Sequence, residues 1–275
     1  MARYALRGTR NFNIFGGMNV TLILIISNVV LFFGGLILIN IFGEDFFVKY
    51  LAITPSLIRQ GKSLWTFLTS MFMHANFFHL FANMFSLFFI GNFLERLIGN
   101  RRFLGIYFAA GILGGIFFVL SGLIFGNLDV PAVGASGALF GLLGVLAVLV
   151  PRSKIYLIAG PLILLVLQFI LIPFIPASFV GVFSTVINIL FFVMIFAMFS
   201  FGSSFQKIAL PIKLEMWLLP IIAIVPLVVI DFFVDLPIGN SAHFGGLVAG
   251  LIYGFYLRNK FPRKVRELGY MYEER

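Results

Sequence analysis

Cysteine is absent from this chain, and that removes disulfides, thiol nucleophiles and zinc-thiolate sites from consideration. Acidic residues are few, ten in 275, and none lies inside the long apolar runs near the polar residues discussed below. A pair of intramembrane aspartates is therefore excluded. Neither His74 nor His79 is followed by the glutamate of a His-Glu-x-x-His zinc site, so that metal chemistry is excluded too. Charge of either sign is scarce: 11% of residues are charged against 61% hydrophobic, with a mean hydropathy of +1.10. No soluble globular domain has that balance. It implies an all-α, polytopic membrane protein embedded in a lipid bilayer.

The formal charge of +9 does not point to nucleic acid, because the basic residues fall in the tails and in alternate loops between apolar runs. At about 20 apolar residues per crossing, roughly eight spans are expected. They cover about 19 to 42, 71 to 97, 103 to 125, the run behind Ser136 to Val150, 155 to 175, 177 to 201, 214 to 233 and 241 to 256. The first run is too long for a signal-peptide core and reads as a retained span. The mixed segment from Gly43 to Ser70 suits a membrane interface, and Glu95 belongs to a charged turn with Arg96, Arg101 and Arg102. Placing basic loops inside puts both termini in the cytoplasm, in a cell membrane. Spans two, four and eight then all enter from the outer side, which brings His79, Ser136 and His243 to similar depth.

The stretch Pro131-Ala132-Val133-Gly134-Ala135-Ser136-Gly137 sets one hydroxyl among small residues directly ahead of an apolar run. Ser136 is placed to open a helix, whose first N–H groups lack internal partners and stabilise a negative oxygen. Taken alone, the same pattern also fits a small-residue packing motif of a membrane helix. His243 lies in a second such segment, with Gly246, Gly250 and Gly254 at every fourth position, as Gly137 and Gly141 are below Ser136. Two parallel helices carrying those faces pack closely, and an imidazole then reaches the hydroxyl. Ser136 and His243 suit a nucleophile and its base.

His79 and Asn83 are i and i+4, on one helical face, and both can donate hydrogen bonds to the oxyanion of a tetrahedral intermediate beside the Ser136 N–H. His74 falls roughly 140° away from His79 on a continuous helix and is expected at the mouth of the site, in a structural role. Asp129, Asp231 and Asp235 read as solvated charges at span ends. A dyad is expected rather than a triad.

These residues resemble the rhomboid family of intramembrane serine proteases: Gly134-Ala135-Ser136-Gly137, His74 and His79 followed by Asn83, and Ala242-His243 followed by Gly246 and Gly250. The resemblance implies Ser136 as nucleophile, His243 as base, and an oxyanion hole from His79, Asn83 and the Ser136 backbone. It also implies transmembrane protein substrates and no metal or cofactor. Trp65 is followed by Thr66 where family members often have Trp-Arg, and Phe140 stands where some have a tyrosine stacked on the base histidine. The family core has six spans. A single membrane domain over residues 1–275, with an extra transmembrane hairpin at about 155–205, is therefore expected. The run 214–233 would match the mobile helix through which family substrates enter. A non-catalytic binder or chaperone of membrane helices is the alternative reading, and a transporter or channel a third.

Overall fold

In the computed structural model, residues 19–198, 210–231 and 239–273 are described. They fall into two compact units: the described residues up to Ser153 together with those from Met216 onward, and the segment Lys154–Glu215.

In the first unit α1 (Val20–Phe42) begins with Asn19 as its cap, the side chain accepting from Leu22 N at 2.8 Å. Short helices α2 (Glu44–Tyr50), α3 (Pro55–Arg59) and α4 (Thr66–Thr69) build the segment that follows. Next, α5 (Phe77–Ser86), a π turn over Leu87–Gly91 and α6 (Asn92–Ile98) form one continuous helix, Phe77–Ile98. Gly99 breaks it, and α7 (Asn100–Phe125) runs on from there.

The central element is α8 (Ser136–Leu149), in which every residue after Ser136 except Ala147 is buried. It spans 14 residues, about 21 Å, which is shorter than a bilayer's hydrocarbon core. Helices α7 and α8 run antiparallel: Gly114 meets Gly137, and Ala110 meets Gly141.

The second unit starts with strand β1 (Lys154–Ile158), then α9 (Ala159–Leu171), a 3-10 turn at Ile172–Phe174 and α10 (Ala177–Met198) packed on α9. Strand β2 (Pro211–Glu215) pairs antiparallel with β1, from Lys154↔Glu215 to Ile158↔Pro211. Lys154 and Glu215 close the end of that ladder at 2.6 Å.

The first unit resumes with α11 (Leu219–Asp231), which contains Pro226, and α12 (Asn240–Lys260). It ends in the amphipathic α13 (Pro262–Glu273), whose Leu268 is buried.

Among the described residues four helices are long and apolar enough to cross a membrane: Val20–Phe42, Phe77–Ile98, Asn100–Phe125 and Ala177–Ala197. The expected runs need correction in three respects. The fifth and seventh runs do not begin as helix, because residues 154–158 and 211–215 pair as strands; Ile155, Tyr156 and Ile212 suit a pleated ribbon as well as a helix. The second span starts at Phe77 rather than Met71, since Asn76 caps it. Glu95 is no solvated turn charge: it is buried, and its carboxylate accepts from Val20 N, Thr21 N and Thr21 Oγ1 at 2.7–2.9 Å. An acid at a helix N-terminus meets both its unpaired N–H groups and its dipole, so Glu95 locks α1 to α6.

Candidate active site

The backbone leading to Ser136 is held on both sides. Ile53 and Ala132 exchange two backbone hydrogen bonds at 2.9 and 3.0 Å, and the Gly134 N–H donates to Ser70 O at 2.9 Å. Gly134 has φ +134°, which a residue with a side chain rarely adopts. A Cβ there would lie 2.9 Å from His79 Cε1 and 3.0 Å from His79 Nε2. Glycine thus serves two ends, turning the chain into α8 and letting an imidazole lie against the backbone beside Ser136.

Ser136 is the first residue of α8, behind Ala135, which supplies no side-chain cap. The leading N–H groups of the helix are left for another acceptor.

His243 sits in the first turn of α12, its N–H donating to Gly239 O at 3.1 Å, and is buried. Close backbone approach carries it to the serine. A Cβ on Gly246 would overlap the Gly137 carbonyl, and one on Gly250 the Gly141 carbonyl, so α8 and α12 lie parallel with backbone against backbone. A Cβ on Gly114 would come 2.7 Å from the Ala242 carbonyl oxygen, which brings α7 to the same level.

The outcome is one hydrogen bond: His243 Nε2 to Ser136 Oγ, 2.8 Å. The Phe140 ring stacks on the imidazole with centroids 4.5 Å apart and planes 21° apart. His243 Nδ1 is buried and has no hydrogen-bond partner among the described residues. Asp129 is exposed, Asp231 is described only as the end of α11, and Asp235 lies outside the described residues.

His79 is in the first turn of its helix. Asn76 positions it: the cap side chain accepts from the His79 N–H at 2.8 Å, and Ala75 N makes a long contact of 3.5 Å with His79 Nδ1. Nε2 is the ring nitrogen that faces Gly134. Asn83 stands one turn along on the same face, buried, with Nδ2 donating to the His79 carbonyl at 2.9 Å. One of its two amide hydrogens is thereby committed, and the structure gives Asn83 no hydrogen bond to Ser136. His74 precedes the helix, so the angle expected between it and His79 does not apply. It is buried, edge-on to His79 with centroids 5.1 Å apart, and 6.4 Å from Phe32.

Reading the sequence missed Asn76, Ser70 and Ile53, which hold the site without entering it. Asn76 had a signal, an asparagine three residues ahead of His79 at the start of an apolar run. Ser70 and Ile53 act through their backbone and had none. Trp65 Nε1 donates to Tyr50 O at 3.0 Å and the two rings stack, which anchors the segment at the Trp65-Thr66 step. Among the described residues no group of three His, Cys, Asp or Glu is arranged to hold a metal ion.

Residues 61–189 match the Rhomboid domain family. His243 lies beyond that match. The chain is similar to Rhomboid-like protease 1 of Toxoplasma gondii, 43% identical over 98 residues, 36% of this chain and 32% of that protein. It is also similar to Rhomboid protease GluP of Bacillus subtilis, 44% identical over 100 residues, 36% of this chain and 18% of that protein. A third relative is Inactive RHOMBOID-like protein 8 of Arabidopsis thaliana, 37% identical over 87 residues, 32% of this chain and 23% of that protein. In each case the match spans under a third of the relative's own length.

Proposed function

The chain belongs to the rhomboid family and is a multi-pass membrane protein, and on that premise we propose that it is an intramembrane serine endopeptidase. The observation that carries this reading is the 2.8 Å contact between His243 Nε2 and Ser136 Oγ. Imidazole is suited to take a serine proton near neutral pH and to return it to a leaving amine.

In the proposed reaction Ser136 Oγ attacks a peptide carbonyl while its proton passes to His243 Nε2. The oxyanion accepts from the Ser136 N–H and from His79 Nε2, and from the second amide hydrogen of Asn83 once the substrate is bound. Collapse breaks the C–N bond, and the amine leaves with the proton from His243. Water, deprotonated by His243, then hydrolyses the acyl ester and frees Ser136. Phe140 holds the imidazole plane and His74 packs behind His79. No cofactor enters these steps.

The substrates are transmembrane proteins cut in or near a membrane helix. A helix buries its carbonyls in hydrogen bonds, so segments of small, helix-weakening residues are favoured. A cell-membrane location with both termini cytoplasmic, a six-helix core in one domain over residues 1–275, and an inserted hairpin at about 155–205 complete the proposal.

The test is cleavage of a purified single-span peptide with Gly and Ser at the outer end of its helix, in proteoliposomes. Wild type is expected to produce one discrete cut and Ser136→Ala none. One relative is named as inactive, and the second reading is a non-catalytic protein that binds membrane helices. Capture of the peptide intact by both wild type and Ser136→Ala would favour that reading.

A further inference from the structure

A groove of about 280 Å³ opens between α7 and α12 at the end of the bundle away from Ser136. Its walls are Arg101, Arg102, Gly105, Ile106, Ala109 and Tyr253. Tyr253 is ten residues beyond His243, about 15 Å along α12, so the groove is separate from the candidate active site.

Its two ends differ in chemistry. Arg101 and Arg102 lie in the first turn of α7, and the Arg102 guanidinium is held over the Phe261 ring at 4.7 Å. Beyond them Gly105 and Ala109, both exposed, leave a shallow trough on the face of α7, and exposed Ile112 and Ile116 extend that face along the helix. Among the described residues no acidic side chain lines the groove. A trough with two cations at one end and an apolar floor running into the membrane complements an anionic head joined to hydrocarbon. Neither a free anion nor a neutral lipid uses both halves.

We propose that this groove binds an anionic phospholipid, its phosphate between Arg101 and Arg102 and an acyl chain along Gly105 and Ala109. Arginine suits the head because its planar fork donates to two phosphate oxygens at once. Tyr253 forms the wall facing α7, where an amphipathic ring meets the boundary between head and chain.

The test is native mass spectrometry of the full chain in neutral detergent, titrated with dioleoylphosphatidylglycerol, dioleoylphosphatidylcholine or inorganic phosphate. Wild type is expected to retain one phosphatidylglycerol at least about tenfold more tightly than phosphatidylcholine, with no displacement by inorganic phosphate. The double variant Arg101→Gln, Arg102→Gln is expected to lose that preference. Ala109→Trp fills the trough while keeping both charges and is expected to lose phosphatidylglycerol as well, so the claim stays testable if the double variant cannot be purified. Arg266→Gln, which removes a charge from exposed α13, is expected to bind as wild type. Equal retention of the two lipids, displacement by phosphate alone, wild-type binding by Ala109→Trp, or an equal loss in Arg266→Gln would each overturn the proposal.

Discussion

Helices α8 and α10 are both apolar, yet they use that character in opposite ways. In α8 the side chains are buried and the glycines at 141 and 144 admit neighbouring backbone, so an added methyl group would come within 3.0 Å of the Gly246 carbonyl oxygen in the first case and of the Leu247 carbonyl oxygen and Leu251 N in the second. In α10 large residues point outward, with Phe179 63% and Phe196 72% exposed, and a Cβ on Gly181 would meet nothing within 4 Å. The first pattern fixes the position of two catalytic candidates to within a hydrogen bond. The second offers hydrocarbon to lipid. Apolar composition alone does not separate them; the spacing of the glycines does.

A matched pair of substitutions breaks the comparison most sharply. Gly246→Ala puts a methyl group into the Gly137 carbonyl and is expected to destabilise the protein by about 3 kcal/mol. Denaturation in detergent, followed by tryptophan fluorescence, measures it. Next in size is Gly134→Ala, which combines an unfavourable φ with a methyl group against His79. It is expected to lower turnover about a hundredfold, as loss of one oxyanion donor would, and to cost about 1–2 kcal/mol of stability through the strained backbone.

Glu95→Gln removes the charge from three hydrogen bonds to the start of α1 and is expected to cost about 2 kcal/mol without changing the reactivity of Ser136. Phe140→Leu removes the stacking partner of His243, with an expected loss of about tenfold in turnover. Smallest of all is the counterpart of the first, Gly181→Ala. With open space around it, the change is expected to leave stability unaltered or raise it by up to about 1 kcal/mol, since alanine is the better helix former.

Much of the site was legible because it depends on local rules. A serine after Gly-Ala and ahead of an apolar run marks a helix start, and glycines at every fourth position mark a face for close approach. Those two signals place Ser136 and His243 on helices that pack. His79 and Asn83 were legible as one face of a helix, but not their depth, which Asn76 sets by starting the helix at Phe77 rather than at Met71.

Two features could not be read because apolar sequence permits more than one structure. Residues 154–158 and 211–215 form a ribbon rather than helix, and only their pairing across some 55 residues makes that choice. Glu95 looked like a turn charge beside Arg96. Its role depends on the N-terminus of α1, 74 residues earlier, a contact that no local pattern announces.

The central claim is that Ser136 is activated by His243, and covalent labelling by a fluorophosphonate tests it without knowledge of a substrate. Purified protein is treated in detergent and in liposomes, and the adduct is mapped by mass spectrometry. The expected result is a single adduct on Ser136 in wild type, absent in Ser136→Ala and in His243→Ala. An adduct that forms equally well in His243→Ala, or folded wild-type protein that stays unlabelled in both environments, would contradict the claim.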